Sequence, residues 1–128
     1  MRKKVVLYPR VSSRKQLDNA SLPTQRQEME RFADRKGWEA ARIFEDRGES
    51  AKTTERPALQ EMLRWVSDRP GEIHAVLVYD FDRAARNLAD HLNIRATLDR
   101  AGVRLISITQ PTTDDPHGRL MGHIHAAI

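Results

Sequence analysis

The chain contains no cysteine. That excludes a disulfide framework, a cysteine-based zinc site, an iron–sulfur cluster and a thiol nucleophile, and it agrees with a reducing, cytoplasmic setting. No apolar run approaches the roughly 18 residues of a membrane span. The basic start Met1-Arg2-Lys3-Lys4 leads only into Val5-Val6-Leu7-Tyr8, too short for a secretory signal with its apolar region of about 7–15 residues. Internal repeats and low-complexity tracts are also missing. What is present is one domain: 128 residues suit a single core with a radius of gyration of about 14 Å. Counting glycine, about 44% of residues are apolar, enough to fold without staples.

Charge is plentiful, at 31% of residues, but nearly balanced: 22 Lys and Arg against 18 Asp and Glu leave +4. Its distribution says more than its sum. Residues 1–16 hold Arg2, Lys3, Lys4, Arg10, Arg14 and Lys15 and no acid, so the positive field gathers at one end of the chain. A polyanion is the natural partner; the alternative from net charge alone is a solubilising surface.

The apolar pattern alternates strands with helices. Lys3 to Tyr8 reads as a buried strand ended by Pro9, which has no N–H for a ladder. Ser21-Leu22-Pro23 supplies an N-cap and a first-turn proline, and Leu22, Met29, Phe32 and Ala33 follow at near-helical spacing until Gly37. Ala40 to Asp46 reads as a second strand, and Arg47 to Thr54 as a polar, mobile loop of the kind that carries function. Pro57 opens a second helix with Leu59, Met62, Leu63 and Val66 at i, i+3, i+4 and i+7, closed by Pro70-Gly71. Ile73 to Tyr79 is a strand, Asn87 to Ala101 a helix ended by Gly102, and Val103 to Ile108 a strand. This order predicts an α/β domain with a mostly parallel sheet and flanking helices, because parallel neighbours need crossovers of this length. Gly118 to Ile128 begins like a helix and stops without a C-terminal signal. The expectation is therefore that residues 1–128 are the first part of a longer protein.

In open α/β sheets ligands bind beyond the carboxyl ends of the strands. After the first strand comes Tyr8-Pro9-Arg10-Val11-Ser12-Ser13, where Arg10 and Ser12, two apart in extended chain, point to one side. After the third comes Asp80-Phe81-Asp82-Arg83-Ala84-Ala85-Arg86-Asn87. A helix starting near Asp82 would place Arg83 and Arg86 on one face near its positive end. A serine hydroxyl needs an electrophile and a setting that activates it. Neither segment holds a histidine, which argues against Ser-His-Asp acyl transfer. Several guanidiniums suit phosphoryl transfer instead, since they bind the non-bridging oxygens bidentately and keep their charge. The expected electrophile is a phosphodiester.

The ordered set Tyr8-x-Arg10-Val11-Ser12 with Gln16, Ser21-Leu22-x-x-Gln25, Asp46, Arg56-Pro57, Asp82-Arg83-x-x-Arg86 and Gly118-Arg119-Leu120-Met121 resembles the catalytic domain of the serine site-specific recombinases. This is the resolvase/invertase family, which includes the large phage integrases. The Ser21–Gly37 helix followed by Trp38 is more similar to the large integrases than to the small resolvases. The resemblance implies that Ser12 attacks a DNA phosphodiester and forms a 5′-phosphoserine link, reversed later by an exchanged strand without metal or ATP. It implies that Arg10, Arg83 and Arg86 hold the scissile phosphate and that Arg56 reaches in from the loop. Asp82 would assist proton transfer or orient an arginine, and Tyr8, Gln25 and Asp46 would support the site. It further implies double-stranded DNA as partner and self-association to dimer and tetramer in the full-length protein. The last helix would continue into a dimerisation element followed by a DNA-binding region.

Two departures stand out: Pro9 occupies a position where the family usually has a small residue, stiffening the turn that aims Arg10 and Ser12, and Ala84-Ala85 replaces a frequent Leu-Ser or Leu-Gly pair. Two other readings remain on the residues alone. One is a metal-dependent nuclease in which Asp46, Asp80 and Asp82 gather at the strand ends around divalent ions; four arginines in the same site would repel such ions. The other is a non-catalytic α/β module that binds DNA or a protein.

Overall fold

The computed structural model describes residues 2–12, 21–48, 56–85 and 87–109, without the side chains of Ser12, Asp82 and Arg83. In chain order the elements are β1 (Lys4–Leu7), β2 (Arg10–Ser12), α1 (Leu22–Lys36), β3 (Glu39–Ile43) and β4 (Asp46–Gly48). They continue with α2 (Pro57–Ser67), β5 (Ala75–Val78), α3 (Phe81–Ala84), α4 (Leu88–Arg100) and β6 (Arg104–Ser107). Four strands form a sheet in the order β3-β1-β5-β6, with every neighbouring pair parallel. The mostly parallel sheet with flanking helices expected from the strand–helix alternation is thus the observed architecture.

Side-chain alternation along the strands divides the core into two. Val5 and Leu7 of β1 join Ala75, Leu77 and Ile106 on one face, against Met29 and Ala33 of α1. Val6 joins Val76, Val78 and Leu105 on the other, against Leu59, Met62 and Val66 of α2 and Ile94 and Leu98 of α4. Because β1 and β5 are covered on both faces, they are continuous apolar runs rather than alternating ones. Each fully buried aliphatic side chain contributes about 1.5–3 kcal/mol.

Local signals set the helix ends. The Ser21 hydroxyl accepts the Thr24 N–H, and Gly37 at φ 73° closes α1 in the left-handed region that favours glycine. The Asn87 side chain accepts the Asp90 N–H at 2.8 Å and starts α4.

One expectation is sharpened and others are corrected. The segment after Pro9, expected as extended chain, is a short strand, β2, and part of the expected loop is its partner, β4. They pair in parallel with Arg10 opposite Asp46 and Ser12 opposite Gly48, as a separate two-stranded sheet. The strand expected over Ala40–Asp46 is accordingly two elements, β3 and β4, separated by Phe44 and Glu45, with Phe44 buried in the core. The helix expected to start near Asp82 begins at Phe81 and is a single turn, α3, that ends at Ala84. The expected helix start at 118–128, and most of the expected loop, lie outside the described residues. Among the described residues no helix is long and apolar enough to cross a membrane.

Candidate active site

Beyond the carboxyl end of β1, Tyr8 is fixed by its N–H, which donates to the Leu77 carbonyl of β5 at 2.9 Å. Pro9 is buried and asks for no donor partner, and its carbonyl accepts the Asp46 N–H at 3.3 Å. The chain then enters β2, which has β4 on one side. Gln25 of α1 supplies further pairing: its Oε1 accepts the Arg10 N–H at 3.1 Å and its Nε2 donates to the Arg10 carbonyl at 3.0 Å. A side-chain amide carries one donor and one acceptor group in the same arrangement as a peptide. Gln25, fully buried, therefore serves as a one-residue strand, and both backbone groups of Arg10 are satisfied by it.

Asp46, at the start of β4, is buried and acts as a remote helix cap. The N-cap residue of α2, Arg56, makes no side-chain capping bond. Asp46 takes its place: Oδ1 accepts the Ala58 N–H at 2.9 Å and Oδ2 accepts the Leu59 N–H at 2.9 Å. A carboxylate at the positive end of α2 gains from the dipole as well as from the bonds. Oδ2 also accepts the Tyr8 hydroxyl at 2.7 Å. Burial, then the hydrogen bond to Asp46 and its negative charge, push the Tyr8 phenol well above its ordinary range, so Tyr8 remains a donor at any physiological pH. With three protein donors on its two oxygens, Asp46 is a structural acceptor, which weakens the reading of Asp46, Asp80 and Asp82 as a metal cluster.

Arg56 sits at the N-terminus of α2 rather than on an exposed loop, and it is only 7% exposed. Its Nη1 donates to Asp90 Oδ2 at 2.7 Å and to the Ala84 carbonyl at 2.9 Å, while Nη2 donates to Asp90 Oδ1 at 2.8 Å. Burial alone would lower the guanidinium's pKa, but the hydrogen bond and charge of Asp90 outweigh it and the net shift is upward. The fork–carboxylate geometry is the strong, bidentate form of the ion pair. In this arrangement Arg56 links α2, the last residue of α3 and the first turn of α4.

The expected site residues are therefore placed as follows. Arg10, partly buried, and Ser12 lie at the two ends of β2. The turn of α3, whose backbone carries Asp82 and Arg83, lies beside β2. Gln25 is hydrogen-bonded to β2, Asp46 to the first turn of α2, and Tyr8 to Asp46. The side chains of Ser12, Asp82 and Arg83, and all of Arg86, lie outside the described residues. The sequence pattern placed Asn87 at a helix start but did not single out its capping bond or Asp90. Their signal was present as an N-cap asparagine followed three residues later by a carboxylate, a variant of the capping-box pattern.

A parallel α/β domain with an arginine and a serine on a short strand beyond β1, and an arginine-bearing turn after β5 beside it, defines a resolvase-type catalytic domain. The family described as "Resolvase, N terminal domain" matches residues 5–128, and the chain belongs to that family. Among solved structures, the chain is similar to the N-terminal catalytic domain of TP901-1 integrase, at TM-score 0.79 and 28% identity, covering 98% of this chain and 92% of that one. It is also similar to a resolvase family site-specific recombinase from Streptococcus pneumoniae, at TM-score 0.77 and 28% identity, covering 98% of this chain and 89% of that one. A Bacillus subtilis (strain 168) protein named "Putative DNA recombinase" is 30% identical over 125 residues, or 97% of this chain. This chain spans 24% of the length of that Bacillus protein.

Proposed function

We propose that this chain is the catalytic domain of a site-specific DNA recombinase in which Ser12 is the nucleophile. Its Oγ attacks the scissile phosphorus, the bond to the 3′ oxygen breaks, and a phosphoserine ester to the 5′ end forms. The departing 3′ oxygen takes up a proton, and the serine proton passes to a base. Attack by the 3′ hydroxyl of an exchanged strand reverses these changes, so the bond energy is conserved and neither metal nor ATP is consumed. In this reading Arg10, Arg83 and Arg86 hold the non-bridging oxygens, with Arg56 as a further cation, and Asp82 assists proton transfer or orients an arginine. Double-stranded DNA is the substrate, and dimers and tetramers of the full-length protein bring the strands together.

The observation that carries this reading is the double pairing of β2. Gln25 on Arg10, and β4 along the strand, hold the backbone of an Arg-x-Ser segment beyond the sheet's carboxyl edge, next to the turn that bears Asp82 and Arg83. Rigid support of a nucleophile and its cations is what positioning-based phosphoryl transfer requires. The test uses the full-length protein with its cognate recombination site. A covalent protein–DNA adduct is expected for the natural sequence and for Ser13→Ala and should be absent for Ser12→Ala. Adduct formation should continue undiminished in EDTA; its loss there would favour the metal-nuclease alternative.

A further inference from the structure

Asp90 has no part in the reading above, yet its carboxylate, 14% exposed, is engaged on both oxygens by the Arg56 fork. Its own N–H is held by the Asn87 cap. Arg56 in turn grips the carbonyl of Ala84, the last residue of α3. One guanidinium thus ties the start of α2, the end of α3 and the first turn of α4. In the sequence Asp82 and Arg83 immediately precede Ala84.

We propose that Asp90 is a positioning residue: through Arg56 it fixes the carbonyl end of α3, whose backbone carries Asp82 and Arg83, against β2. This inference rests on the strand-transfer reading. The physical reason is directional. A buried hydrophobic contact could hold α3 near α4, but a planar fork clamped on two carboxylate oxygens also sets the direction in which Arg56 presents its protons to Ala84. Removing Asp90 leaves a buried cation whose nearest charge partner is gone. Arg56 would then reorient, and the Ala84 carbonyl would lose its donor. Misplacement of a catalytic segment by about 1 Å costs on the order of a hundredfold in rate.

The test compares Asp90→Asn, which keeps the shape and one acceptor but not the charge, with Asp90→Ala and with Leu92→Ala, an exposed position on the same helix. The full-length protein and its cognate site are used, with DNA affinity and single-turnover adduct formation measured separately. The expected result is a fall in adduct rate of about tenfold or more for Asp90→Ala. Asp90→Asn should fall less, Leu92→Ala should be unchanged, and DNA affinity should stay within about twofold throughout. Amide hydrogen exchange in Asp90→Asn without DNA should accelerate at Ala84, Ala85 and His91 and not in β1 or β5. The proposal is overturned if both Asp90 variants cleave at the natural rate, if affinity falls in step with rate, or if exchange accelerates evenly through the sheet. An adduct persisting in Ser12→Ala would instead remove the strand-transfer reading, whatever the Asp90 variants do.

Discussion

Replacing Gln25 with alanine isolates the device that holds β2. The substitution removes two hydrogen bonds, to the Arg10 N–H at 3.1 Å and carbonyl at 3.0 Å, from a side chain with no exposed surface. Each bond contributes about 0.5–1.5 kcal/mol net, and leaving a buried backbone group unsatisfied costs about 1–3 kcal/mol. Solvent entry beside β2 offsets part of that cost, so the expected loss is about 2–4 kcal/mol, a large share of a domain stability of about 5–15 kcal/mol. Urea denaturation followed by circular dichroism would show a lower midpoint at unchanged slope. Gln25→Glu should be no better than alanine in spite of its matching shape, because a carboxylate oxygen would face the Arg10 carbonyl where the amide now donates. A loss below about 0.5 kcal/mol for alanine, within the range of ordinary surface substitutions, would refute the idea that the amide acts as a strand.

The other expectations concern titration. Tyr8 keeps its proton in the folded state while the unfolded phenol ionises near pH 10, so its contribution is complete below about pH 10 and declines as pH rises beyond it. Tyr8→Phe should remove this part of the alkaline loss and cost about 1.5–3 kcal/mol at neutral pH, the range for a bond to a charged acceptor. His91, edge-on to Phe81 with ring centroids 5.0 Å apart, has its pKa lowered by burial and then by the charge of Arg95, against the opposing pull of Asp90. Its contribution is complete above the unfolded value near 6.5 and is lost as pH falls through the window below it. Thermal melts at descending pH should show a flatter profile for His91→Gln; an identical profile would count against this assignment.

The sequence foretold the elements whose signals are long or periodic. β1 and β5 are uninterrupted apolar runs because both their faces are covered. α2 declares itself through Leu59, Met62 and Val66, all of which enter the core. β2 and β4, three residues each, are too short to show a period, and their pairing depends on contacts between Arg10–Ser12 and Asp46–Gly48 that no local pattern encodes. The family resemblance singled out Gln25 and Asp46, but not the hydrogen bonds they make. Nothing in the segment around Gln25 says that its amide will meet both backbone groups of a residue fifteen positions earlier. Arg56 illustrates the same limit: next to Pro57 and a polar stretch it reads as a loop cation, whereas burial is decided by Asp90, thirty-four residues away.

If Ser12 is the nucleophile, its oxygen becomes bonded to a 5′ phosphate of DNA, and peptide mapping reads that bond. The covalent complex formed by the full-length protein on its cognate site would be digested with nuclease and protease and sequenced by mass spectrometry. The expected product is a nucleotide joined through its 5′ phosphate to Ser12. A nucleotide on Ser13 or on any other residue, or a 3′-phosphate linkage, would contradict it.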